Sequence, residues 1–353
     1  MTRRVLFDAL SLDESPSGTK TRLLTLAPEA ARRGYETAVL HAPGLDAAAR
    51  RALGGLRLIA SDDLLPRDPF RRVRMQTAAW RRAADAFSPD VVVNETFPMP
   101  APPDAARLVA VVHDLRRVGS PWPLRAIFRR LLADAGTKAA RWHTPSAVVR
   151  DRLVQEGVPA DRVDVVPNAV LPRDPTVAMS EPLPKAAAGA RFVFCLGHAE
   201  ARKDFSIAAK LAASPRFQGR LVFLRAGRGR AGDRSLLELG AVTDAVRDAL
   251  YSEAAVVFAP SKLEGFGLAP LEALASGGRV LASEIAAHRE VLGDAADYFP
   301  VGDVPAAAAA IEAILAETEG ERSVKCAAGR ARADLWSVRR AVDAFIASLA
   351  RLP

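Results

Sequence analysis

Continuous apolar runs of strand length alternate along the chain with stretches whose apolar positions return every three or four residues. "RRVLFDAL", "ETAVLHA", "LRLIA", "DVVVNETF", "RLVAVVHDL", "RWHTPS" and "RVDVVPN" are the runs of the first half. Between them the helical period is carried by Thr19–Arg33, 71–87, about 121–136 and 146–156. A strand that is apolar at successive positions is buried on both faces, so this alternation predicts a parallel sheet covered by helices on either side. The order then breaks in the proline-rich stretch "LPRDPTVAMSEPLPKAAAGA", the best linker candidate in the chain. A second alternation follows, with runs "RFVFCLG", "GRLVFLRAG", "AVVFAP" and "RVLAS" and helices predicted over 204–213, 244–250, 269–276 and 286–292. The fold class is therefore α/β, with two doubly wound Rossmann-like domains at 1–170 and 191–353 joined by a linker at 171–190. Sheets of this kind bind ligands beyond the carboxyl ends of their strands, and two of them face each other across a central cleft.

Composition narrows this picture. The chain has 353 residues, half of them apolar and a quarter charged, enough for two domains that each bury a core. No apolar run approaches the ~18 residues of a membrane span, and the apolar run after Met1 is short and lacks a small-residue cleavage site, so we expect a soluble protein without a signal peptide. Cys195 and Cys326 match no metal spacing, and a reduced, cytoplasmic setting is expected. The net charge of +8 is unevenly spread: residues 1–170 hold 26 basic against 19 acidic residues, and residues 171–353 hold 23 against 22. One basic cluster, "RRVGSPWPLRAIFRRLL", sets Leu124, Ile127, Phe128, Leu131 and Leu132 at helical spacing among Arg125, Arg129 and Arg130. Such a helix can lie on an anionic membrane surface or can pack on the domain core with its arginines in water. Nothing reads as a nucleic-acid module, and aromatic residues make up only 6% of the chain.

Two motifs carry candidate chemistry. In "SKLEGFGLAPLEALASGG" the strand ends at Pro260, and a loop of Glu264, Gly265, Phe266 and Gly267 leads into a helix with Pro270 expected at its first position. Glycines let the backbone come close to a ligand, and the amides at a helix start favour an anion such as a diphosphate. Glu272, expected about two residues into that helix, is placed to accept hydrogen bonds from a vicinal diol such as ribose; the bland alternative is a first-turn capping glutamate. In "FVFCLGHAEARKDFS", Arg202 and Lys203 stand after a strand end, where two cations can neutralise a departing diphosphate; an isolated Arg-Lys pair would otherwise read as a solvated turn.

These segments resemble the retaining nucleotide-sugar glycosyltransferases of family 4, which have the GT-B fold. Glu264 to Glu272 is similar to the family's E-x7-E signature, and "LGHAEARKD" to its Gly-x-x-x-x-Arg-Lys-Asn turn. "DALYSEAAVVFAP" and "HREVLGDAADYFPVGD" resemble its later segments, while "SPSGTKTRLLTLAPEAARRGYETAVL", "VVHDL", "HTPSAVVRDRL" and "VVPNAV" are similar to its N-terminal ones.

The resemblance implies a role for each matching residue. Glu272 would hold the donor ribose and Glu264 the transferred sugar. The amides of Phe266, Gly267 and Leu268 beside Gly265 would meet sugar and phosphates. Arg202 and Lys203 would stabilise the nucleoside diphosphate leaving group, without a metal or other cofactor. His113 would approach the donor sugar, Gly18 would let the first loop come near the diphosphate, and the backbone at Val242 would grip the nucleobase. Attack from the front face would retain configuration with no separate general base. The N-terminal domain would bind the acceptor, a glycan or a lipid-linked hydroxyl, and the last helix would pack back on it. GDP-mannose is the donor expected first, ahead of UDP-sugars, and contact with membrane would be peripheral at the inner face. Ala169 stands where the hinge usually has Gly, Arg279 where Pro is common, and Asp114 would be structural or orient His113. A sugar-nucleotide epimerase, a phosphorylase or a non-catalytic relative are the alternatives.

Overall fold

A computed structural model describes residues 3–12, 18–43, 45–61, 68–95, 99–103, 106–115, 122–171, 181–231 and 235–352. The chain divides into two compact units, Met1–Ala169 with Val338–Pro353, and Val170–Ser337. Residues 172–180 of the expected linker lie outside the described residues.

In the first unit, strands β1 (Arg4–Ala9), β2 (Glu36–His41), β3 (Arg57–Ala60), β4 (Val91–Asn94), β5 (Arg107–Val111), β6 (Ala139–Thr144) and β7 (Val163–Val165) form one sheet in the order 3-2-1-4-5-6-7. Every neighbouring pair is parallel. Because side chains alternate across a strand, β1 sends Leu6 to one face and Val5 and Phe7 to the other. Leu6 joins a core with Trp80 and Phe87 of α3 (Pro69–Phe87) and Phe128 and Leu132 of α4 (Trp122–Lys138). Val5 and Phe7 meet Leu23 and Leu26 of α1 (Gly18–Arg32) and Phe345 and Leu349 of the last helix, Val338–Ala350. Helix α2 (Ala47–Ala52) lies between β2 and β3, and α5 (Ala147–Gln155) between β6 and β7. Their starts follow local chemistry: Asp46, Asp68 and Ser146 each accept from an amide of the first turn.

The final helix is tied to the first unit by a buried polar chain. Ser348 donates to Asp164 (2.5 Å), so the 2.7 Å contact between Ser348 Oγ and His143 Nε2 is one in which the imidazole donates. Burial, then the nearby Arg22 guanidinium, pulls the His143 pKa down to about 3, which keeps the ring neutral.

The second unit has six parallel strands, β8 (Phe192–Leu196), β9 (Val222–Ala226), β10 (Leu237–Gly240), β11 (Val256–Ala259), β12 (Val280–Ser283) and β13 (Asp297–Phe299), in the order 10-9-8-11-12-13. One face packs Phe194 and Leu224 on Leu271 and Leu274 of α8 (Leu268–Ala275). The other packs Val193, Cys195 and Phe258 on α6 (Ser206–Ala213) and α10 (Val304–Leu315). Helices α7 (Asp244–Glu253), α9 (Ala286–Leu292), α11 (Glu319–Asp334) and the last helix, α12 (Val338–Ala350), complete the chain. In both units the strand order reverses beside the first strand, between β1 and β4 and between β8 and β11, and these are the topological switch points where such sheets bind ligands.

The helix of "PWPLRAIFRRLL" turns its apolar stripe inward. Phe128, Leu132 and Ala135 are in the core, while Arg125, Arg129 and Arg130 are exposed together with Ile127. The packed alternative therefore accounts for Phe128 and Leu132 of the amphipathic pattern.

Arg279 stands on the turn before β12 with only 2% of its surface exposed. Its guanidinium donates to Glu317 (2.9 and 2.6 Å) and to Asp297 (2.5 Å). The side-chain bond from Arg279 holds the Glu317 carboxyl down at about 2 against its burial. The Arg279→Met protein is expected to lose about 3 kcal/mol, because the shielded Glu317 is then left with Lys325 alone of its two cations. A lower urea midpoint for the second unit checks this. The deficit should shrink as pH falls from the ordinary carboxylate value of 4.5 toward 2, where Glu317 takes up its proton.

Candidate functional site

The switch point of the second unit brings together three residues of the two motifs. After β8 the chain turns at Gly197 and makes one 3-10 turn, Ala201–Lys203, which ends with Asp204 in the left-handed region (φ 46°). Asn and Asp tolerate that conformation better than other side chains, so Asp204 replaces the family's Asn without cost to the turn. After β11 the second loop carries Glu264. Its carboxylate accepts from Arg202 Nη1 at 2.7 Å, Lys203 Nζ at 2.6 Å and Ser261 Oγ at 2.8 Å. Backbone bonds join the loops as well, with the Lys262 amide donating to the Arg202 carbonyl at 2.7 Å.

Only 9% of the Glu264 side chain is exposed. Burial pushes its carboxyl up, but Lys203 and Arg202 overcome this and hold it at about 2. The acid is therefore ionised at neutral pH. Arg202 also donates from Nε to Glu200 at 2.7 Å, so two cations face two carboxylates at the strand ends, an arrangement that can exchange an internal carboxylate for an incoming phosphate.

The loop enters α8 differently from the sequence-based expectation. Gly267, with φ +88°, is the N-cap, so Leu268 is the first helical residue, Pro270 the third and Glu272 the fifth. Pro270 is thus two positions later than expected, and Glu272 lies beyond the first turn and is not a first-turn cap. The reason is the left-handed glycine, which turns the chain straight into the helix. The proline is still harmless, because the first intrahelical bond runs from the Leu271 amide to the Gly267 carbonyl (3.3 Å). The amides of Leu268 and Ala269 precede that bond and have no acceptor inside the helix.

The other proposed donor residues are placed as follows. Gly265 and Phe266 are buried, and the Phe266 ring packs edge-on against Trp336 at 5.1 Å. Leu268 and Val242 flank the core of the second unit, Val242 on the turn between β10 and α7. Glu272 acts on Arg247 of α7: despite burial, Glu272, Tyr251 and neighbouring aspartates push the guanidinium pKa up. Gly18 begins α1 and is not a loop residue, and positions 13–17 of its loop fall outside the described residues. His113 belongs to the first unit, after β5, and its Nε2 lies 3.1 Å from Glu95 Oε2.

Several residues at these sites carry no recognisable pattern in the sequence. Arg225 of β9 is fully buried and donates to Glu238 (2.7 Å), to the Gly197 carbonyl (2.6 Å) and to the Gly229 carbonyl, bracing the turn ahead of Arg202. His288 of α9 donates from Nδ1 to the Ser283 carbonyl (2.9 Å) and lies against the backbone of Gly267. Its Nε2 is buried with no hydrogen-bond partner, and burial holds the ring neutral by lowering its pKa. His288 opens the segment "HREVLGDAADYFPVGD", but its letters give no hint of what the ring touches.

Comparison with known proteins agrees with the fold. Residues 16–173 match Glycosyltransferase Family 4, and residues 191–317 match Glycosyl transferases group 1. A phosphatidyl-myo-inositol mannosyltransferase of Mycolicibacterium smegmatis is 37% identical over 145 residues, an alignment covering 36% of this chain and 37% of that protein. Anabaena HepE, solved in complex with UDP-glucose, superposes with a TM-score of 0.74 over 99% of this chain and 100% of that one, at 17% identity. The trehalose 6-phosphate synthase of Burkholderia multivorans gives 0.75 over 99% and 98% of the two chains, at 14% identity. At these identities the superpositions establish a shared GT-B fold.

Proposed function

This chain belongs to the glycosyltransferases of family 4 and group 1, and we propose that it moves a hexose from a nucleotide-sugar to a hydroxyl of a glycan or lipid-linked acceptor, with retention of configuration and without a metal. The observation that carries this reading is Glu264 held between Arg202 and Lys203 at a switch point. In the proposed reaction the two cations take the diphosphate as its charge develops on leaving. Glu264, released from them, accepts hydrogen bonds from the sugar, and Glu272 accepts from the ribose diol. The amides of Phe266, Gly267 and Leu268 face sugar and phosphate, Gly265 gives the approach room, and Val242 offers backbone to the base. The departing phosphate oxygen receives the acceptor's proton, so the two carboxylates need not serve as bases.

Mannose from GDP-mannose is the donor we favour, because the aligned curated relative is a mannosyltransferase. A UDP-sugar is the second reading, supported by the neighbour solved with UDP-glucose. The basic face of Arg125, Arg129 and Arg130 with exposed Ile127 is proposed to meet an anionic membrane that carries a lipid-linked acceptor.

A thermal-shift panel with GDP, UDP and ADP decides among these. A ligand at a hundred times its Kd stabilises the fold by about 2.7 kcal/mol, so a selective shift with GDP supports the first donor and with UDP the second. The absence of any shift, or sugar product formed from donor alone or only with free phosphate, overturns the transferase reading. Turnover that persists in EDTA and a retained anomeric configuration in the product check the finer claims.

A further inference from the structure

The switch point of the first unit holds a second cluster of charge around His113, in which Asp8, Glu95 and Arg22 have no role so far. Two acids stand at the ends of adjacent strands. Asp8, at the end of β1, is enclosed: its carboxylate accepts from Gln76, from Trp80 Nε1 (2.6 Å) and from the Leu10 amide (2.9 Å) inside the core. Glu95, just past the end of β4, has a basic neighbour at each oxygen. Arg22 Nε lies 3.4 Å from Oε1, and the same guanidinium donates from Nη1 to the Val166 carbonyl at 2.7 Å. Oε2 reaches His113 Nε2 at 3.1 Å. Glu95 is 7% exposed and His113 26%, so the acid is shielded while the imidazole still meets solvent.

From this geometry we propose that Glu95 is a positioning residue for His113, fixing Nε2 as the protonated ring nitrogen so that the unprotonated Nδ1 accepts a hydrogen bond from a hydroxyl of a sugar substrate. A carboxylate has no hydrogen to give, so a bond between Glu95 and Nε2 requires the hydrogen on Nε2. While the ring carries that one proton, Nδ1 is an acceptor, which suits a hydroxyl and repels a phosphate. Glu95 itself cannot rotate away without leaving the buried Arg22 unbalanced. The arrangement separates the chemistry of the two switch points: cations for the diphosphate in the second unit, a hydrogen-bond acceptor for a polyol in the first. This inference rests on the sugar-transfer reading for its substrate class, but its central claim concerns the state of one imidazole and is measurable without turnover.

The test is a long-range proton–nitrogen correlation spectrum of the wild-type protein, with His113 assigned among the five histidines by the loss of its peaks in His113→Asn. The expected pattern has the proton on Nε2 and a bare Nδ1; a ring protonated on Nδ1 overturns the proposal whether or not any transferase activity is found. Glu95→Gln keeps the size and loses the charge, whereas Glu95→Asp keeps the charge beside Arg22 and draws the carboxylate back from the ring by one methylene. Both are expected to lower kcat by between about 10- and 100-fold with the donor KM unchanged. They should also mix the two tautomers of His113. Turnover and ring pattern equal to wild type in both variants overturns the proposal as well. If both unfold, the wild-type spectrum still decides.

Discussion

Glu264→Gln is expected to bind a nucleoside diphosphate about tenfold more tightly than the wild type, a gain of about 1.4 kcal/mol. It is also expected to turn over at least about a hundredfold more slowly. The opposed signs come from one arrangement. In the free protein Glu264 occupies both cations, at 2.7 Å from Arg202 and 2.6 Å from Lys203, so a diphosphate has to displace it. The neutral amide competes less, and affinity rises. The same change removes the carboxylate that would accept from the sugar, and catalysis falls. Lys203→Ala should lower both quantities, because it removes one of the two cations and leaves the acid with Arg202 and Ser261. Calorimetric titration with the nucleotide selected by the thermal panel, alongside release of nucleoside diphosphate, checks both variants. A Glu264→Gln protein as active as the wild type, or one that binds nucleotide more weakly, contradicts the exchange. Stability follows the same charge. Glu264 is held at about 2 in the fold and titrates near 4.5 when free, so its contribution is present above 4.5 and is lost as pH falls toward 2. That acid-range loss should be absent in Glu264→Gln.

The second large effect is expected from Gly267→Ala. The new methyl would come within 2.9 Å of His288 Cδ2, and the backbone would keep a φ of +88° that alanine adopts only at a cost of about 1–2 kcal/mol. Neither neighbour can yield freely. The His288 ring is buried and anchored to the Ser283 carbonyl at 2.9 Å, and Ser283 donates in turn to the Ser261 carbonyl of the Glu264 loop. Relief therefore moves the turn that carries Phe266 and Leu268 into place. A displacement of that kind lowers turnover by about a hundredfold, with a smaller loss of stability. The paired variant Gly267→Ala, His288→Ala separates the causes. Removing the ring relieves the contact and not the strain, so part of the activity should return and the double-mutant cycle should show coupling. If His288→Ala restores nothing, the contact is not what damages the turn.

Much of the fold could be read from the letters, and unevenly so. Runs such as "VVVN" and "FVFCL" are apolar at every position because parallel strands are covered on both sides, and they were visible for that reason. The edge strand Leu237–Gly240 and the three residues of β13 carry too few apolar positions to stand out. Helix α11 escaped notice because its buried residues are Cys326, Gly329 and Ala333, small side chains that leave no apolar stripe, while a capping box of Thr318 and Glu321 starts it. Helix α2 is short and buries only Ala49.

The residue types of the candidate site were legible too, since an acid beside two glycines and an Arg-Lys pair stand at strand ends in order along the chain. Their meeting was not. That Glu264 takes both cations, that Arg225 braces the Gly197 turn, that His288 limits Gly267 and that Glu95 reaches His113 are contacts between residues 18 to 62 positions apart. Local propensity and periodicity act over a single turn or strand, so the sequence alone determined the alternation of elements and the kinds of chemistry at their ends. Which side chains share a hydrogen bond depends on how distant strands are ordered in a sheet, and only the tertiary structure decided that.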